Sequence, residues 1–151
     1  WNGNDSNRFS TPLLYEGRMY LISGGLVKCV NAADGKEIFQ GRLTGGTPAG
    51  GAPGAPGAPG APGAPGGGRG RGGFGGGRGG SDYASPVLGD GKIYYVNRAG
   101  DIYVLKPGES LEVLAKNRLT ADQEDFSATP AISNGQIFFR SSRHLYCVSA
   151  Q

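Results

Sequence analysis

The chain has 151 residues, of which 30 are glycine and 10 proline, so about a quarter is Gly plus Pro, the level at which composition signals low complexity. That excess sits between positions 45 and 80, which also carry Arg69, Arg71 and Arg78 without an acid, equal to the whole formal net charge of +3. The remainder is therefore ordinary, charge-balanced globular material, too short for two lobes with a catalytic cleft between them. Its longest apolar runs, such as Ile93 to Val96 and Ile102 to Leu105, fall far below the roughly 20 residues of a membrane helix. Cys29 and Cys147 are too few and too far apart for a disulfide framework, and a single histidine, His144, removes a histidine-pair zinc site.

Taken in chain order, three segments stack without gaps: Ser10 to Leu21, Ala84 to Tyr95 and Ala128 to Phe139. In each, a proline (Pro12, Pro86, Pro130) is followed five residues later by glycine (Gly17, Gly91, Gly135) and three residues after that by an aromatic (Tyr20, Tyr94, Phe138). Pro opens a strand where its missing N–H is tolerated. Glu16-Gly17, Asp90-Gly91 and Asn134-Gly135 then predict tight hairpins, because Asn or an acid before Gly suits positive φ. Next come centre strands predicted to be buried, Met19 to Ile22, Ile93 to Val96 and Ile137 to Phe139, rich in β-branched and aromatic residues. Third strands follow at Leu26 to Val30, Ile102 to Leu105 and Leu145 to Val148. Fourth strands are expected only around Glu37 to Phe39 and Leu111 to Leu114.

A four-stranded antiparallel unit repeating at about 40 residues is the blade of a β-propeller. The expected fold class is all-β: a partial propeller of about three blades, the last incomplete, with a disordered Gly/Pro/Arg-rich insertion. Residues 1–44 form the first repeat with the tail of an upstream blade, 45–80 a low-complexity linker, and 81–151 the second and third repeats. Propellers run to about four to eight blades, so the chain is expected to be a C-terminal piece of a longer one. The third unit, lacking its outer strand, is expected to expose an edge near Leu145 to Val148 that promotes self-association.

Val30-Asn31-Ala32-Ala33-Asp34-Gly35-Lys36-Glu37-Ile38-Phe39 resembles the signature of the PQQ-like (quinoprotein-like) propeller repeats, a Leu-Asp-Ala strand end, a Thr-Gly-Lys turn and a strand closing on Trp. Asn31, Asp34 and Phe39 depart from that pattern. The resemblance implies an envelope, periplasmic or secreted setting and two kinds of relative, quinone-dependent dehydrogenases and the outer-membrane assembly scaffold lipoprotein. A dehydrogenase would need PQQ, a calcium ion held by clustered Glu, Asn and Asp, and a vicinal cysteine pair, none of which this sequence assembles. The expectation is a non-catalytic scaffold for protein partners, with no catalytic, cofactor or metal residue. A dehydrogenase fragment whose site lies in upstream blades is the alternative.

Three smaller readings complete the sequence. Asp122-Gln123-Glu124-Asp125 is expected to be a solvated acidic loop, and Cys29 and Cys147, at matching places in their repeats, to be small apolar core residues. Gly51 to Pro65 is five Gly-Ala-Pro triplets of polyproline character. Arg69, Arg71, Phe74 and Arg78 resemble an RGG segment, in which phosphate charge and stacking make weak, salt-sensitive RNA contacts; RNA binding is a lesser alternative to the scaffold.

Overall fold

The structure, a computed structural model, describes residues 1–3, 9–43 and 82–149. Eleven strands and no helix occur among the described residues, in three antiparallel sheets. The first contains β1 (Leu13–Tyr15), β2 (Arg18–Ser23), β3 (Leu26–Asn31) and β4 (Glu37–Arg42) in that order. The second repeats the arrangement with β5 (Val87–Gly89), β6 (Lys92–Val96), β7 (Asp101–Lys106) and β8 (Glu112–Arg118). The third has β9 (Ala131–Ser133), β10 (Gln136–Arg140) and β11 (Leu145–Ser149), ordered β11-β10-β9.

The first hairpins form where the sequence places them. Glu16 and Gly17 have φ of 47° and 71°, Asp90 and Gly91 48° and 64°, Asn134 and Gly135 50° and 73°. Two successive positive φ values define the turn whose twist matches the flanking strands. A Cβ built on Gly17, Gly91 or Gly135 meets nothing within 4 Å, so glycine is required there by backbone conformation rather than by space. The repeat extends to an irregularity of register: β3 slips against β4 between Cys29 and Val30, and β7 slips against β8 at the equivalent Val104 and Leu105.

Because side chains alternate across a strand, each blade has two faces to cover. Tyr20, Ile22, Val27 and Cys29 project from the first sheet onto Ile93, Tyr95, Tyr103 and Leu105 of the second, forming one buried cluster. The opposite face of the second sheet contributes Val96 and Ile102 to another cluster, with Ala84, Phe126 and Phe139. Each of these large side chains gains roughly 1.5–3 kcal/mol from burial. The second sheet is thus covered on both sides. The third is not: β9 is exposed throughout, and in β10 only Phe139 is fully buried. The expectation of a buried centre strand therefore fails for one face of β10, where no further sheet lies among the described residues.

The two cysteines divide for the same reason. Both are free and both pair across from the repeat aromatic, Tyr20 with Cys29 and Phe138 with Cys147. Cys29 is buried under the second blade, whereas Cys147 is exposed. The core role expected for Cys147 is thereby corrected.

Candidate functional site

The polar residues that the fold gathers lie along one rim, where linkers between blades meet the turns joining second to third strands. The linker after β8 carries the acidic run; Asp122 and Gln123 are exposed as a solvated loop would have them, and the structure corrects that reading at Glu124. The Glu124 side chain is fully buried and accepts hydrogen bonds from Tyr146 Oη at 3.0 Å and His144 Nδ1 at 2.7 Å. A further hydrogen bond from Ser141, reinforced by His144 and Tyr146, holds its carboxyl below the ordinary glutamate range. Asp125 pairs with Arg98 Nε at 2.5 Å and accepts from the Ser127 hydroxyl, which together pull its carboxyl down as well, the serine contributing most.

Main-chain bonds fasten the same linker to both neighbours. Phe126 N donates to Arg98 O at 3.0 Å in the β6–β7 turn, and Ser142 N donates to Asp125 O at 2.8 Å from the β10–β11 turn. The Phe126 ring, 1% exposed, lies over Gly100, where φ is 87° and a Cβ would come within 2.7 Å of it. Asp82 plays a comparable part before β5, accepting from Tyr95 Oη at 2.6 Å and from Arg98 N at 3.0 Å. Burial, with the nearby Asp82 carboxylate adding to it, pushes the Tyr95 phenol far above its usual value.

A second line of contacts runs from blade to blade through the residue before each repeat proline. Thr11 N donates to Ser85 Oγ at 2.8 Å, and Ser85 N donates to Thr129 Oγ1 at 3.0 Å. The hydroxyl of each following blade thus accepts the main-chain N–H of the one before. Beside this line is a cavity of about 390 Å³ lined by Asp125, Ser127, Ala128, Arg140, Ser141 and Ser142.

The repeat residues are placed as follows. Pro12, Pro86 and Pro130 stand immediately before β1, β5 and β9, and Gly17, Gly91 and Gly135 fill the hairpins. Tyr20 is buried, its hydroxyl bonded to the Gly108 N–H at 3.0 Å in the next blade. Tyr94 and Phe138, on the equivalent face, are half-buried, and the fully buried aromatic of β6 is its neighbour Tyr95. Gly35 has φ of 72° and lies under Trp1, whose Nε1 donates to Ala32 O at 2.9 Å. Phe39 is half-buried in β4 with its ring 6.4 Å from that of Tyr20. Arg69, Arg71, Phe74 and Arg78 lie outside the described residues.

Sequence reasoning missed Asp82, Ser85, Glu124 and Asp125 as organising residues. The hydroxyl line had a visible signal, the Ser or Thr before each aligned proline. The buried carboxylates of Asp82 and Glu124 had none, because their side-chain partners Tyr95 and His144 lie 13 and 20 positions away at unrelated offsets.

The chemistry of these donors does not suit the calcium-quinone centre that the family resemblance raises. Calcium takes six to eight oxygens in one place. Among the described residues no three of His, Cys, Asp and Glu come together, and the acidic run spends its oxygens on Arg98, Ser127, His144 and Tyr146. Among the same residues no helix is long and apolar enough to cross a membrane.

Two four-stranded antiparallel sheets and one three-stranded sheet, packed face to face, are blades of a β-propeller. The arrangement is similar to the crystal structure of BamB from Moraxella catarrhalis, with a TM-score of 0.56 at 13% sequence identity. The likeness covers 91% of this chain but 32% of that one, so the chain spans about a third of the BamB structure. No family model matches the sequence, and no curated protein matches it.

Proposed function

We propose that this chain is part of a β-propeller scaffold that holds protein partners in the cell envelope and carries no catalytic centre or cofactor of its own. The observation behind this reading is the use made of the buried acids. Asp82 and Glu124 are each taken up by hydroxyl, imidazole or main-chain donors that join turns and linkers, so the polar chemistry of the rim serves to shape a surface. Likeness of fold to BamB, together with the PQQ-like repeat signature around Gly35, supports the envelope setting.

The test is site-specific photo-crosslinking in the cells that make the protein. A photoreactive residue at Ser127 or Ser142 on the rim is expected to trap a discrete protein partner, and one at Asn134 in the opposite turn is not. Absence of any discrete adduct from the rim would overturn the scaffold reading. So would alcohol oxidation with an artificial electron acceptor, dependent on added PQQ and Ca²⁺, by the purified protein.

A further inference from the structure

The rim of the first two blades repeats two exposed residue types that the packing of the blades does not use. Phe9 and Tyr83 stand three residues before the repeat prolines Pro12 and Pro86, where the third unit has Ser127. Arg42 lies opposite Leu26 and Arg118 opposite Asp101, equivalent places at which β4 and β8 end on that rim. Phe9 is 51% exposed and Tyr83 40%. Tyr83 has a blade on either side of its own, and Ser127 is exposed as well, so exposure belongs to this position on the rim.

The two rings meet across the seam between the blades. Their centroids are 4.6 Å apart at a tilt of 43°, and Arg98 Cζ lies 5.8 Å from the centroid of the Tyr83 ring. The backbone beneath them is fastened on both sides. Ser10 Oγ, next to Phe9, donates to Ile22 O at 2.7 Å, and the buried Asp82, next to Tyr83, accepts from Arg98 N at 3.0 Å. An aromatic pair held rigidly in water beside an arginine has the composition of an interface centre and little ordering left to lose on binding.

Charge separates the two ends of the blades. At the turns of the opposite end basic side chains meet acids: Arg18 meets Glu16 and Glu109, Lys36 meets Asp34, and Lys92 meets Asp90. On the rim Arg98 has Asp125, whereas Arg118 donates to Ala99 O, and among the described residues no carboxylate pairs with Arg118 or Arg42. A guanidinium carries five N–H donors, so Arg118 retains a fork that suits a carboxylate.

We propose that the Phe9–Tyr83 pair anchors an extended acidic segment of a partner protein, which sets an apolar side chain on the two rings and carboxylates on Arg118. This rests on the scaffold reading and gives its partner a chemistry. The β6–β7 turn leads from Tyr83 through Arg98 to Ala99, whose carbonyl holds Arg118. A carboxylate two or three residues beyond the apolar one, roughly 7–10 Å along an extended segment, reaches that guanidinium. Single-stranded nucleic acid fits less well, because stacking a base takes a free ring face and Tyr83 already has Phe9 and Arg98 against its ring.

The probe is a fluorescein-labelled peptide, Ser-Leu-Pro-Ser-Glu-Glu-Ser, titrated with the 151-residue chain and read by anisotropy. Saturable binding is expected. Tyr83→Ala weakens it about tenfold, as loss of an interface anchor does. Arg118→Glu weakens it to a similar degree, and a peptide with lysines for the two glutamates restores binding to that variant, a reversal that general attraction to a basic chain would not give. Both side chains are exposed, so each variant keeps the parent's urea midpoint, measured alongside. Replacing Arg69, Arg71 and Arg78 together by alanine leaves binding unchanged. No saturable binding, indifference to Tyr83→Ala or to the charge swap, or loss of binding in the triple alanine variant alone would overturn the proposal. Displacement of the labelled peptide by oligouridine at lower concentration than by unlabelled peptide would assign the rings to nucleic acid and overturn it too. If the rim cross-links form in cells while the peptide fails to bind, the scaffold reading stands and this inference falls. If the peptide binds as expected and the rim yields no cross-link, the site stands and the scaffold reading falls.

Discussion

Replacing Tyr95 by phenylalanine isolates a single buried interaction. The ring is 0% exposed and packs in the cluster between the first two blades, 6.5 Å from the Tyr103 ring, and phenylalanine keeps all of that apolar contact. Only the hydroxyl goes, and with it the 2.6 Å bond to Asp82 Oδ2. Asp82 is 9% exposed, so water does not freely replace the donor, while its other oxygen keeps the Arg98 N–H at 3.0 Å. A hydrogen bond to an ionised acceptor contributes about 1.5–3 kcal/mol, so Tyr95→Phe should cost about 2 kcal/mol. For a folded body of about a hundred residues that lowers the melting temperature by roughly 10 °C. Urea denaturation of Tyr95→Phe, Asp82→Asn and the double variant reads the coupling, expected at about 1 kcal/mol or more because the two groups touch. A Tyr95→Phe protein within about 0.5 kcal/mol of the parent, or strictly additive single variants, would refute the idea that the pair fastens linker to blade.

Other outcomes follow from the same contacts. Phe126→Ala empties the space between the second and third blades and should cost about 3–4 kcal/mol in denaturant unfolding, more than any substitution on exposed β9. Gly17→Ala should cost about 1 kcal/mol through its positive φ alone. Gly35→Ala, with the same strain and a Cβ 2.4 Å from Trp1, should also displace the chain's single tryptophan and shift its fluorescence, whereas Gly17→Ala leaves the emission unchanged. Folded Glu124 holds its proton more weakly than in the unfolded chain, so its stabilisation is complete above the ordinary glutamate range and lost as the pH falls through its lower folded value. A melting series in acid should show this decline, and Glu124→Gln should flatten it; an unchanged slope would show that the carboxylate is not coupled to folding.

Much of the fold was legible because it is written in local chemistry. The Asp90-Gly91 and Asn134-Gly135 dipeptides impose their turns through backbone torsion, and Ile93 to Val96 prefers an extended chain whatever surrounds it. Three aligned copies of that pattern carry the blade and its strand order. Burial is another matter. Tyr94 and Tyr95 are neighbours of similar character, and Tyr95 is the fully buried one because it points at the first blade. Cys29 and Cys147 occupy the same place in their repeats and differ because one has a blade above it. The acids of the 122–125 run look alike in one dimension, yet Glu124 is enclosed by His144 and Tyr146 while Asp125 reaches back to Arg98. Torsional preference belongs to a residue and its immediate neighbours, so the sequence alone determined turns, strands and repeat. Desolvation and hydrogen bonding depend on what another blade or linker brings near, and only the tertiary structure decided which faces are covered and which carboxylates are spent on the rim.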